Sequence, residues 1–227
     1  MHQDMKMQAA KKAFQLLKER MHAPFKLGIG SGSTSEIFLE ILIQHQKELP
    51  PFKCVASSKK IYEMSSTKLP YMPDIAFEEL DVYIDGADEV SLDHGYRLIK
   101  GGGACLTREK ILYTSSKLRM VMVDRSKLSH GPIGSFFKRI PIEILPFASR
   151  ATIHKIGLKG TFRAPTHLFT DQGGIIYDAE APLLGSHSTS DACDTIRKIP
   201  GVIEVGVFPP PHLLIIGDPS DAEVIHV

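Results

Sequence analysis

Two aspartates three residues apart, Asp85 and Asp88, lie in the run Asp81-Val82-Tyr83-Ile84-Asp85-Gly86-Ala87-Asp88-Glu89. Close carboxylates push their pKa values apart, so one can hold a proton near neutrality while the other stays ionised. Such a pair can shuttle protons between sugar hydroxyls. The same residues also allow a solvated acidic turn, or a metal site with His94, a lone imidazole nearby. A second run reads Leu98-Ile99-Lys100-Gly101-Gly102-Gly103-Ala104-Cys105-Leu106-Thr107-Arg108-Glu109-Lys110. Three glycines let backbone approach a ligand and aim N–H groups at developing negative charge, beside the fixed positive charge of Lys100. Glu109 is placed to act as a general base. The bland alternative is a flexible connector with Glu109 and Lys110 facing solvent and Cys105 packing as a small apolar residue. The third run, Gly28-Ile29-Gly30-Ser31-Gly32-Ser33-Thr34-Ser35, offers amides and small hydroxyls to an anion, or else a tight turn that merely needs glycine. It fits neither dinucleotide nor Walker loops. Ser33 stands where a third glycine belongs, no acidic residue ends the next strand, and no GK[ST] follows.

These runs need elements to hold them. Met5, Ala9, Ala10, Ala13, Phe14, Leu16 and Leu17 recur at mostly helical spacing and predict an opening amphipathic helix. A strand over 26–30 runs into the glycine-rich turn, a helix over 36–46 follows, and Phe52–Ala56 is the next strand, with Ser57-Ser58 capping the helix after it. Val82-Tyr83-Ile84 predicts a strand stopped by Asp85-Gly86. Leu98-Ile99 leads through the glycines into a helix ending at Lys117, and a strand spans 120–123. Strands alternating with helices at this spacing predict a parallel, helix-covered sheet.

After Gly131-Pro132-Ile133-Gly134 the pattern changes. Strand 139–145, helix 147–156, strand 161–163, strand 174–177, helix 189–198 and strand 202–207 give the β-α-β-β-α-β order of a ferredoxin-like domain. Pro209-Pro210-Pro211 marks the way out, and 213–216 returns to the first sheet as its last strand. The expected fold is therefore α/β, a Rossmann-like parallel-sheet domain over 1–130 and 209–227. A smaller ferredoxin-like α+β domain over 131–208 is inserted in it.

The chain has 227 residues, 27 Lys+Arg against 26 Asp+Glu, and a formal net charge of +1, which argues against a dedicated nucleic-acid or membrane-surface binder. An anionic partner must be held locally. Three cysteines without a CxxC pair make a poor disulfide framework, and no HExxH or Cys/His cluster offers metal ligands. No apolar run approaches the roughly 20 residues that span a bilayer, and the first twenty residues lack the apolar core of a signal peptide. These features predict a soluble, cytoplasmic protein.

The three motifs, in this order, resemble the ribose-5-phosphate isomerase family of the A type along nearly the whole chain. Gly28 to Thr34 is similar to its phosphate loop, Tyr83 to Glu89 to its paired aspartates, and Ile99 to Lys110 to its most specific signature. Asp124 with Ser126-Lys127, Thr170-Asp171 with Gly173, and Pro200-Gly201-Val202 are also family-like. The resemblance implies Glu109 as general base, Asp85 and Asp88 assisting ring opening, and Lys100 stabilising charge. It implies that Ser31, Gly32, Ser33, Thr34 and Lys127 contact the substrate or its phosphate, alongside Asp85, Gly86, Ala87, Asp88, Lys100, Gly101, Gly102 and Gly103. No cofactor and no metal are expected, and the partner is a small sugar phosphate bound by a homodimer or homotetramer. Two departures stand out. Ser31 replaces the usual threonine, and the family's first-helix lysine aligns with Met7, leaving Lys6 displaced by one position. A helix turns about 100° per residue, so Lys6 is left outside the expected site.

Two other classes are weighed. A sugar-phosphate sensor would carry a DNA-binding segment, for which one helix before the first strand leaves no room. A coenzyme A transferase of similar architecture would use a glutamate as nucleophile.

Overall fold

The computed structural model describes residues 2–163, 169–181 and 189–227. In chain order the elements begin with α1 (His2–Lys18), β1 (Phe25–Ile29), α2 (Ser33–His45), β2 (Phe52–Ala56), α3 (Lys59–Ser65) and β3 (Leu80–Gly86). Then come β4 (Glu89–Ser91), β5 (Arg97–Ile99), α4 (Leu106–Thr114), β6 (Ser116–Asp124), β7 (Leu128–Ser129), β8 (Arg139–Ile144) and α5 (Ser149–Ile156). The last are β9 (Gly160–Phe162), β10 (Ile175–Glu180), α6 (Thr189–Arg197), β11 (Val202–Val205), β12 (Val207–Phe208), β13 (Leu213–Gly217) and β14 (Ala222–His226).

The chain forms two compact units. The first takes the residues up to Ala87, then Arg108–Ser126 and Pro211–Val227. Its sheet runs β14-β13-β6-β3-β1-β2, parallel throughout except for β14, which pairs antiparallel with β13. Val82-Tyr83-Ile84, Val121-Met122-Val123 and Leu214-Ile215-Ile216 are buried without alternation. Continuous burial is what parallel strands with helices on both faces require. α1 buries Ala9, Ala10, Ala13 and Leu17 in the same core as α2's Phe38 and Leu42. The strand order reverses between β1 and β3. In open α/β sheets ligands bind outside the carboxyl ends of the strands at such a point.

The second unit takes Asp88–Thr107 and Lys127–Pro210. One sheet runs β11-β8-β10-β9, all antiparallel, over a core of Ile140, Ile142, Ile144, Tyr177, Ala179, Ile196 and Val205. The chain builds this sheet with α5 and α6 in the order β-α-β-β-α-β. A small sheet, β12-β5-β4-β7, completes the unit.

Several boundaries differ from expectation. β3 does not stop before Asp85-Gly86, because its pairing with β6 continues to Gly86 opposite Met122. The helix expected to reach Lys117 ends at Thr114, since Ser116 opens β6 opposite Leu80. β13 is not the last strand, as β14 hairpins onto it. The two units also divide the chain differently from 1–130 and 131–208. Residues 88–107 and 127–130 join the second unit because β5 pairs with both β4 and β12, and β4 with β7. Among the described residues, no helix is long and apolar enough to cross a membrane.

Candidate active site

At the carboxyl end of β1 the chain turns through Gly30-Ser31-Gly32 into α2. Gly30 donates its amide to Ile84 O at 2.8 Å, tying the turn to β3. A Cβ on Gly30 would sit 2.0 Å from the Asp85 carboxyl carbon, so only glycine fits here. Gly32, at φ +98°, is the N-cap of α2 and supplies no side-chain cap. The first-turn amides of α2 therefore carry no side-chain partner from that position, as anion binding by a helix start requires. Small hydroxyls surround the turn. Ser31 Oγ and Ser57 Oγ are 2.6 Å apart, and exposed Ser33 Oγ accepts from Lys6 Nζ at 2.8 Å.

Asp85 is wholly buried at the end of β3. Its carboxylate accepts from Ser31 N at 3.0 Å, Ser35 Oγ at 3.0 Å, Gly86 N at 2.7 Å and Tyr83 Oη at 2.5 Å. A buried carboxylate needs such a set of donors, and this one also locks the loop to the sheet. Glu109 lies in the first turn of α4 and is 4% exposed. Burial first, then the charges of Asp85 and Glu109, hold the Tyr83 phenol well above the ordinary tyrosine range. Tyr83, Asp85 and Glu109 thus share one buried electrostatic environment. Asp124, buried at the end of β6, accepts from Ser126 N at 3.0 Å and from Ser126 Oγ.

In the second unit, Lys100 is 3% exposed, with its ammonium 5.7 Å from the centre of the Phe208 ring. Its amide donates to Gly206 O at 2.9 Å, which fixes the strand end from which the glycines depart. Asp88 is half-buried and accepts from Gly102 N at 2.7 Å. Arg163 donates to Gly101 O at 2.7 Å and to Gly102 O at 3.0 Å, and pairs with Asp178 through two nitrogens. Glu143, wholly buried, accepts from Thr107, Thr170 and Gln172, holding the start of α4 to the 170–174 turn. Lys127 closes the short 3₁₀ turn Arg125–Lys127 and is half-buried.

Residues 53–220, well over half of the chain, match the family model for ribose 5-phosphate isomerase A (phosphoriboisomerase A). The chain belongs to the ribose 5-phosphate isomerase A family. It is 36% identical to the ribose-5-phosphate isomerase A of Chlamydia felis over 211 residues, covering 89% of this chain and 86% of the relative. It superposes on the ribose 5-phosphate isomerase A of Methanocaldococcus jannaschii with a TM-score of 0.88 at 27% identity, each chain covered in full. A D-ribose-5-phosphate isomerase in complex with phospho-erythronic acid matches equally fully, with a TM-score of 0.86 at 28% identity.

Within the chain, the first unit gathers Ser31, Gly32, Ser33, Thr34, Asp85, Gly86 and Glu109. Asp88, Lys100, Gly101, Gly102, Gly103 and Lys127 belong to the second, and Ala87 ends the first segment of the first unit. Lys110 is buried beside Glu109 in α4, not solvent-facing. Lys6, which the helical offset left out of the expected set, bonds Ser33, while Met7 packs against the core. Arg163 and Glu143 were not read from the sequence at all. Each lies far from the glycine run in the chain, and only strand pairing within the second unit brings it near.

Proposed function

We propose that this chain interconverts D-ribose 5-phosphate and D-ribulose 5-phosphate by ring opening and proton transfer through an enediolate, with Glu109 as the base. The observation that carries the base assignment is Glu109 itself, a buried carboxylate in the first turn of α4 whose charge, like that of Asp85, acts on the Tyr83 phenol. A base must take the proton from carbon 2 and return it at carbon 1. Lys100 and the amides of Gly101 and Gly103 stabilise the charge of the enediolate between those steps, the Gly102 N–H being committed to Asp88. Asp88, the more exposed aspartate, handles protons during ring opening, and Asp85 holds the loop in shape. Ser31, Gly32, Ser33, Thr34 and Lys127 bind the phosphate, an uninvolved handle whose binding energy positions the reacting carbons. Lys6 joins them. The complex of a relative with phospho-erythronic acid, an open-chain acid phosphate, supports an opened sugar as the reacting form.

The strand order β11-β8-β10-β9 supports reading that sheet, with α5 and α6, as ferredoxin-like. The parallel-sheet unit is taken as the Rossmann-like catalytic domain, and the chain as a cytoplasmic homodimer or homotetramer.

The test is direct assay of ribulose 5-phosphate formation by purified protein with chelator present, together with solvent-hydrogen exchange at carbon 2. Glu109→Gln is expected to abolish both isomerisation and exchange while sugar-phosphate binding persists. Near-normal turnover would remove the base assignment. A covalent thioester trapped on Glu109 with an acyl-coenzyme A would favour acyl transfer instead.

A further inference from the structure

The peptide group joining Gly101 to Gly102 is held from both ends. Its carbonyl oxygen accepts from Arg163 Nη1 at 2.7 Å, and its N–H donates to Asp88 Oδ2 at 2.7 Å. Nη1 reaches the next carbonyl too, that of Gly102, at 3.0 Å. The remaining nitrogens of the fork, Nε and Nη2, take the two oxygens of Asp178, a carboxylate only 5% exposed. Guanidinium, peptide and carboxylate therefore form a line of charge and aligned dipole, a cooperative arrangement in which each hydrogen bond strengthens the next. A run of three glycines has no side chains with which to hold its own conformation and loses more freedom on ordering than any other sequence. Its shape must be imposed from outside. Arg163 does so with a rigid planar fork that a lysine cannot reproduce. The Asp88 side is equally tight, because a Cβ on Gly102 would lie 2.6 Å from Asp88 Oδ1.

We infer that Arg163, anchored by Asp178, is a positioning residue for the isomerisation: it locks the Gly101–Gly102 peptide so that its amide fixes the Asp88 carboxylate for ring opening. The inference rests on the reading of Asp88 as the proton-handling group. Arg163 acts on substrate only through that peptide and that carboxylate.

A double-mutant cycle tests it, with steady-state kinetics on ribose 5-phosphate for Arg163→Ala, Asp88→Asn and the double variant. Loss of the charge-assisted contacts is expected to lower kcat about 10- to 100-fold in Arg163→Ala while KM stays within about threefold. In the Asp88→Asn background the same change is expected to cost less than about threefold, because the group it positions has gone. Arg163→Lys keeps the charge beside Asp178 but cannot span it and both carbonyls. It is expected to lose most of the rate with native circular dichroism, and it takes the place of Arg163→Ala in the cycle if that variant does not fold. Losses that multiply in the double variant, with Asp88→Asn itself slow, would overturn the inference alone. A normal rate for Asp88→Asn would overturn the underlying reading of Asp88, and the inference with it.

Discussion

Among single residues, Lys6 shows most clearly where reading a sequence and reading a structure part company. By resemblance to the family it is one residue out of register, and on an isolated helix one residue is about 100° of rotation. The side chain nevertheless reaches Ser33 Oγ, because four methylenes span what the helical offset removes. Asp85, Glu109, Lys100 and the loop hydroxyls were legible as candidates because their types and spacing suit the proposed chemistry. Lys6 was not, since its role depends on where α1 is seated. As the phosphate contact proposed above, it would contribute the same binding in ground and transition states. Lys6→Ala is therefore expected to raise KM for ribose 5-phosphate about three- to tenfold, modest for an exposed charge, with kcat nearly unchanged. Met7→Ala, at the position the resemblance points to, is expected to change stability and not KM. A KM unaffected by Lys6→Ala would show that the ammonium serves only Ser33.

Among elements, the seat of α1 is set by a glycine at the far end of the chain. Gly217 ends β13, and a Cβ there would lie 1.8 Å from Met5 O and 3.1 Å from Ala9 N. The helix backbone thus rests directly on the strand, which places Lys6 at the start of α2. Gly217→Val is expected to push α1 off the sheet and to destabilise by about 1–3 kcal/mol, measured by urea unfolding. It is also expected to raise KM as Lys6→Ala does, and to add nothing to KM once Lys6 is alanine. An additive rise would mean that α1 contributes to binding through some other residue. The long elements of the two larger sheets, β14 apart, were legible, because their apolar runs are long enough to show a period. β4, β5, β7 and β12 were not all recovered, for strands of two or three residues carry no period and exist only by pairing with one another. That gap is also why the compact units take 88–107 on the other side from the expected division, since β5 pairs with β12.

For the whole molecule, a formal net charge of +1 says only that no broad field attracts anions, so affinity for a dianionic sugar phosphate must come from a few fixed groups. The chain passes between its two units at 87–88, 107–108, 126–127 and 210–211, so neither unit is a continuous piece of sequence. Asp85 and Asp88 lie on either side of one passage, and Thr107 and Glu109 on either side of another. Sequence neighbours in the two central motifs are thereby committed to different folding units, a division no local pattern announces. A ligand that binds only the folded arrangement stabilises it by mass action, by about 2.7 kcal/mol at 100 times its Kd. For a chain of this size that corresponds to a rise in Tm of about 5–10 °C. Phospho-erythronic acid is expected to produce such a rise in differential scanning fluorimetry, and inorganic phosphate a smaller one at the same multiple of the concentration that suffices for the acid. Lys6→Ala is expected to lower both shifts by about the same amount, because an equal weakening of both affinities removes the same free energy while ligand stays in excess. A variant in which only the phospho-erythronic acid shift fell would place Lys6 against the sugar carbons instead of the phosphate.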